Sequence, residues 1–398
     1  MELLQVVKAK EAGKALELLA SGAADVTYER YEEGTWGAHT RESALHHALF
    51  NLRDEVYRQR EAKSKEPLQW RQVVLELLEK GAKVNSKYES YDWRGCGSSQ
   101  TAFELILSMA LSNEDGALLD AALRHGGDPN TKSVSNTHSM RTDGSSVTYP
   151  IHTAASTLSY DCIKALLDAK ADVNVRHTAV YHNERGYNSN TSATALHKAI
   201  SAFARLPKTQ STSSNDYENE GEDAEQAWNK KHKEGLRVIA LLLQAGAEID
   251  AQRKELVQEH VEVNSPTDDP RDPAFIPSVR CVPRTETPLL QALRLGCADL
   301  VRLLVAHGAD TSATYLYGEE APRSALQMAL DFDSRGGGEE KGGEMVAALR
   351  CRWEPQYSAL YPEEVRARLF TTLCMAKRLA WPLPAELLHL ILRWVASP

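Results

Sequence analysis

The chain has 398 residues, 42% hydrophobic and 25% charged, and its 46 basic against 55 acidic side chains leave a formal charge of -9. That is an ordinary soluble composition, with no run near the roughly 18 apolar residues of a membrane-spanning helix, no signal core after Met1-Glu2, and no net attraction for phosphate backbones. The six cysteines (Cys96, Cys162, Cys281, Cys297, Cys351, Cys374) lie far apart without C-x-x-C pairing, so neither a zinc ribbon nor a dense disulfide framework is signalled, and a cytosolic or nuclear setting with reduced thiols is expected.

Two short patterns then alternate along the chain. One is a small or hydroxyl residue, a small residue or proline, an apolar residue, and His or another polar residue. It reads Ser43-Ala44-Leu45-His46, Thr101-Ala102-Phe103-Glu104, Tyr149-Pro150-Ile151-His152, Thr194-Ala195-Leu196-His197, Thr287-Pro288-Leu289-Leu290 and Ser324-Ala325-Leu326-Gln327. In five of these six copies an alanine follows two places after the fourth residue, at Ala48, Ala154, Ala199, Ala292 and Ala329.

The other pattern is an apolar pair, two residues, and Gly-Ala-x-x-Asn or a variant. It appears at Leu77-Leu78 with Gly81 to Asn85, Leu166-Leu167 with Lys170 to Asn174, Leu242-Leu243 with Gly246 to Asp250, and Leu304-Val305 with Gly308 to Asp310. Weaker copies lie at Leu18-Leu19 with Gly22 and at Leu123 with Gly126 to Asn130. Glycine supplies the left-handed residue that ends a helix, and Asp or Asn suits the turn that follows.

A short inner helix, an outer helix ending in glycine, and a turn, repeated in this order, resemble the ankyrin repeat family, whose motifs read T-P-L-H and G-A-D-V-N. The resemblance covers residues 1–350. It implies an all-α ankyrin solenoid of six or seven degenerate repeats, with a short helical segment over 351–398. Starts of the first pattern are 37 to 93 residues apart, against an ankyrin period of about 33, so every interval carries extra sequence. Insertions are expected near 51–67, 206–231 and 251–286. The second, with the polar run Thr209 to Asn215 and then an acidic stretch, reads as disordered.

The remaining extra sequence falls where ankyrin proteins place their finger loops, on one edge of the stack. Here the aromatics concentrate: Tyr28, Tyr31 and Trp36, then Tyr88, Tyr91 and Trp93, then Tyr181 and Tyr187, then Tyr315 and Tyr317. Eight of the 14 tyrosines sit in these four loops. Tyr and Trp dominate interface hot spots, so these ten residues are the candidate partner-binding set. The competing reading is that lengthened fingers form hairpins whose aromatics pack on one another, and the two are compatible. The neighbouring Glu29, Glu32, Glu33, Glu89 and Asp92 favour a basic or polar partner segment.

Beyond about Arg350 the patterns stop. An apolar stripe over Glu363 to Trp381 predicts one helix, and Pro384 opens a second over Ala385 to Val395 that is apolar around most of its circumference. Leu383-Pro384-Ala385-Glu386-Leu387 with Leu390-Ile391-Leu392 resembles the opening of an F-box, and its terminal position resembles the truncated F-box-like PRANC tail of poxvirus ankyrin proteins. A SOCS box needs a longer gap after Cys374. The resemblance implies docking of a Skp-type adaptor of a cullin ubiquitin ligase through Leu383, Pro384, Leu387, Ile391 and Trp394. The alternative is a helix that caps the solenoid.

No catalytic, cofactor or metal set is expected. His46, His152 and His197 share one repeat position and read as structural, His177 and His182 lack further ligands, and the glycines of 336–343 lack the Lys-Ser/Thr of a phosphate loop. The expected function is non-enzymatic protein binding through finger loops and concave face. The alternative adds substrate presentation to a ubiquitin ligase. Neither nucleic acid nor membrane is an expected partner.

Overall fold

A computed structural model describes residues 1–33, 39–62, 68–91, 97–138, 142–183, 188–206, 221–261, 278–318, 321–332 and 345–349. The chain divides into two compact units, Met1–Thr131 with Asp161–Ala171, and Lys132–Tyr160 with Asp172–Pro398. The first holds helices α1 (Glu2–Lys8), α2 (Ala12–Ser21), α3 (Ala44–Ala62), α4 (Gln69–Glu79), α5 (Ala102–Asn113), α6 (Gly116–Arg124) and nearly all of α8 (Tyr160–Asp168). Its strands β1 (Glu29–Glu33), β2 (His39–Ser43), β3 (Lys87–Tyr91) and β4 (Gly97–Thr101) form an antiparallel meander.

The second unit holds α7 (Pro150–Thr157), α9 (Ala195–Ala204), α10 (Gly221–Gln244), α11 (Pro288–Arg294), α12 (Ala298–Ala306) and α13 (Ala325–Phe332). Strands β5 (Ser133–His138), β6 (Thr142–Thr148), β7 (His177–Asn183), β8 (Asn188–Ala193), β9 (Arg253–Val261), β10 (Ser278–Glu286), β11 (Thr314–Tyr317) and β12 (Arg323–Ser324) make an eight-stranded antiparallel sheet in chain order.

The two sequence patterns correspond to helix starts and stops. Each copy of the first is an N-cap. Thr101 Oγ1 accepts from the Glu104 N–H at 3.1 Å, while the Glu104 carboxylate accepts from the Thr101 N–H at 2.7 Å. Gln327 does the same with Ser324. Where His stands fourth, its Nδ1 takes the returning contact, 2.7 Å from Ser43 Oγ in His46 and 2.8 Å from Thr194 Oγ1 in His197. The polar fourth residue is thus the second half of a capping box. Stops are set by Gly22, Gly81, Gly126, Gly246 and Gly308, all at positive φ. In the fuller copies the apolar pair supplies the accepting carbonyls: Gly246 N–H and Ala247 N–H donate to Leu243 O and Leu242 O, at 3.1 and 3.0 Å.

Buried side chains line the helix contacts, including Leu45, Leu49, Val73, Leu77, Phe103 and Ile106 in the first unit and Leu196, Ile200, Leu236, Ile239, Leu289 and Leu304 in the second. The last residue of the second pattern staples one helix pair to the next. Asn174 Nδ2 donates to Gly246 O at 3.0 Å while its Oδ1 accepts from the Glu248 N–H at 2.8 Å, and Asn85 makes the same two bonds to Gly126 O and the Asp128 N–H.

Three expectations change. The fold is not all-α, because the fingers are antiparallel hairpins that pair with the next finger along, as in β2–β3 and β8–β9. The 51–67 insertion begins as a continuation of α3, and Asn51 is buried with Nδ2 donating to Val7 O at 2.8 Å. The second half of the 206–231 insertion is the first part of the 24-residue α10, so disorder does not describe it. Trp228 and Phe203 each pack on His232 with centroids 4.7 Å apart, and His232 Nε2 bonds Asp299 at 2.9 Å. Residues 207–220 lie outside the described residues. The 251–286 insertion is the β9–β10 hairpin, described up to 261 and from 278.

Candidate functional site

In the first unit the finger aromatics divide between packing and presentation. Tyr88 packs edge-on against Phe50, centroids 5.0 Å apart, and lies 5.8 Å from the His46 ring. Tyr28 is half-buried. Tyr31 is 55% exposed on β1, opposite Arg41, whose guanidinium lies 5.8 Å from the ring centroid. Tyr91 is placed by its backbone, opposite Gly97. The acidic neighbours are largely matched inside the unit: Glu29 pairs with Lys83 at 3.2 Å, Glu32 with Arg30, and Glu89 with Arg41 at 3.9 Å. Their pull on a basic partner is correspondingly reduced.

In the second unit the finger bases carry a charge cluster. Across β9–β10, Arg253 stands opposite Glu286 and Glu255 opposite Arg284, so all four side chains share one sheet face. Glu286 is fully buried; it accepts from Arg294 Nε at 2.8 Å and Nη2 at 3.0 Å, and from Arg253 at 3.3 Å. Glu255 takes Arg253 at 2.9 Å and Arg284. Tyr315 and Tyr317 continue the face on β11, ring planes 6° apart and centroids 6.3 Å apart, with Tyr315 buried and its hydroxyl pushed up chiefly by that burial. Tyr181 is placed by its backbone in β7, opposite Ser189.

Sequence reading missed Arg253, Glu255, Arg284, Glu286 and Arg294 because no motif contains them. The available signal was charge at period two at both ends of the 251–286 insertion, Arg-x-Glu on entry and again on exit. Trp36, Trp93 and Tyr187 lie outside the described residues, as do Leu383, Pro384, Leu387, Ile391 and Trp394.

The three repeat-position histidines are buried and each is hydrogen-bonded at Nδ1. His46 Nε2 donates to Ser86 O at 3.1 Å and His152 Nε2 to Val175 O at 3.0 Å. Burial lowers His46 and His152 to about 4 and His197 to about 3, so all are neutral near pH 7. Among the described residues no group of three or more His, Cys, Asp or Glu converges as a metal site, and no helix is long and apolar enough to cross a membrane. An open depression of about 870 Å³, lined by Arg176, Ser192, Glu248, Asp250, Gln252 and Lys254 among others, holds mixed charge. Its Arg176 is already tied to Gln252 O at 2.8 Å and Ser192 Oγ at 3.3 Å.

No curated protein matches the chain significantly. Among solved structures it is similar to the ankyrin repeat domain of human ASB11, at 15% identity over 87% of this chain and 97% of that one, TM-score 0.38. It is also similar to an ankyrin repeat domain from Acinetobacter baumannii AYE, at 16% identity over 78% and 98%, TM-score 0.38. The family model for the ankyrin repeat matches residues 148–178 and 286–315. Both segments run from a capped inner helix through an outer helix to the turn beyond it, so the chain carries ankyrin repeats, which are in general protein–protein interaction modules.

Proposed function

We propose that the chain is a non-enzymatic protein-binding module whose partner contacts the finger sheets and the inner-helix surface at their bases. The observation that carries this reading is the placement of aromatic and paired charged side chains on the finger strands, with Tyr31 presented to solvent beside Arg41. An exposed tyrosine backed by a guanidinium is a rigid, amphipathic contact of the kind that anchors interfaces. Because Tyr31 is exposed, Tyr31→Ala leaves the fold intact, whereas replacing Tyr88 opens its contact with Phe50. Quantitative affinity capture with the wild-type chain and Tyr31→Ala, both checked by circular dichroism, tests the reading. A partner enriched by the wild type and depleted with the variant is expected. Identical capture by both, or nothing enriched over an unrelated bait, defeats it.

The second reading adds delivery of the bound protein to a cullin-type ligase, and it rests on the Leu383-Pro384-Ala385-Glu386-Leu387 motif. Pull-down of a Skp-type adaptor with the full chain and with one ending at Arg378 separates the two; equal recovery defeats it.

A further inference from the structure

The residue just before the helix cap is a glutamate at the Ser43 and Thr287 caps, whereas the other four caps follow Gln100, Thr148, Ala193 and Arg323. In the first unit that residue is Glu42, which accepts from His47 at 2.8 Å, the fifth residue of the pattern, and also from Lys8. At the Thr287 cap it is Glu286, shared by Arg253 and Arg294. At the Thr194 cap the same place holds Ala193, and the fifth residue is Lys198. Lys198 is half-buried, and no side-chain hydrogen bond or ion pair holds its ammonium among the described residues.

The neighbourhood does not make up the missing charge. Arg253, Arg284 and Arg294 share the two carboxylates Glu255 and Glu286, so with Lys198 four cations stand against two anions. Arg253 and Arg284 are 14% and 15% exposed, and the buried Nε atom of each has no hydrogen-bond partner among the described residues, that of Arg284 standing 4.0 Å from Glu286 Oε1. Burial first, then Arg253 and Arg205, hold the Lys198 ammonium below the ordinary lysine range, with Glu255 acting the other way. Lys198 alone of the four lacks a carboxylate partner among the described residues, and a partly desolvated cation without counter-charge is costly unless a ligand supplies the opposite charge.

We propose that Lys198, on the helix that β8 leads into where its Thr191 and Ser192 pair with Glu255 and Lys254 of β9, forms a carboxylate-binding subsite that takes an acidic side chain of a bound peptide segment. The inference rests on the protein-binding reading above and names the chemistry of the partner at the second unit. A peptide fits better than a long polyanion, because the chain's charge of -9 repels the latter at range. Tyr317, half-exposed and stacked on the buried Tyr315, offers apolar surface beside the charges for the flanking peptide residues.

The test uses the full chain against an array of short peptides carrying paired glutamates and a matched array carrying glutamines. Glutamate peptides are expected to bind over their glutamine counterparts, Lys198→Gln to weaken them about tenfold, and Lys198→Arg to retain them. Without peptide, Lys198→Gln is expected to melt at or above the wild-type temperature, since it removes an uncompensated cation; a purely structural lysine predicts a fall. Absence of binding, binding without preference for glutamate, or a destabilised Lys198→Gln that loses both peptide sets overturns the proposal. Peptides bound regardless of charge leave protein binding standing, and the Tyr31→Ala capture tests that reading separately.

Discussion

Lys170 is the one outer-helix stop among the fuller copies that lacks glycine. It sits at φ +68° and still makes the closing bonds, its own N–H donating to Leu167 O at 2.9 Å and that of Ala171 to Leu166 O at 2.9 Å. A residue with a Cβ in this conformation carries about 1 kcal/mol of strain that glycine lacks. Lys170→Gly is therefore expected to raise unfolding stability by about 1 kcal/mol with an unchanged denaturant slope. Gly246→Ala, at φ +88°, is expected to lower it by a similar amount. Chemical denaturation of both variants checks the pair, and opposite signs are required.

Between elements, the joints that matter most are side chains reaching from one turn to the next. Asn174 is half-buried, and it both donates to and accepts from the turn after α10. Asn174→Ala is expected to cost about 1–2 kcal/mol, since two backbone groups lose their partner. Asn174→Asp keeps the acceptor and loses the donor, as Asp250 does naturally when it accepts from the Asp310 N–H at 2.9 Å, and is expected to cost roughly half as much. Melting curves of the two variants rank them, and equal losses reject the two-bond account. The turns themselves were legible as Gly-Ala-x-x-Asn, and so were the caps, because each depends on residues within one turn of each other; the reach of Asn174 to a turn 72 residues on was not. The sheets were not. Ser133–His138 is rich in Ser, Thr and Asn and reads as loop in isolation; it becomes a strand by pairing with β6. Thr191 and Glu255 face each other at a sequence separation of 64, which no local pattern encodes. The same distance hid the arginine cluster, whose members are assembled from two strands and one helix around one buried carboxylate.

For the whole molecule, the histidines set the response to acid, and they are unevenly shared. His46 belongs to the first unit, while His152, His177 and His197 belong to the second. Burial depresses all four below the ordinary value of 6.5. The unfolded chain therefore binds more protons than the folded one between the folded and unfolded values, and stability falls as pH drops from 7 toward 4. A histidine lowered to about 4 loses about 2 kcal/mol of native stability by pH 5. Carboxylates held low, such as Asp115, where burial is the largest single effect but the Arg71 hydrogen bond and charge together with the Leu118 and Ala117 N–H groups outweigh it, add their loss at more acidic pH. The second unit is thus expected to lose stability more steeply between pH 7 and 5 than the first. Hydrogen exchange corrected for intrinsic rates, read separately over the two units, checks this. His197→Gln supplies the control, because Gln327 shows that glutamine completes the same cap with Ser324. The variant is expected to flatten the second unit's pH dependence while leaving the first unit's unchanged, and a slope equal in both units, or unaltered by the variant, would show that these histidines do not govern acid stability.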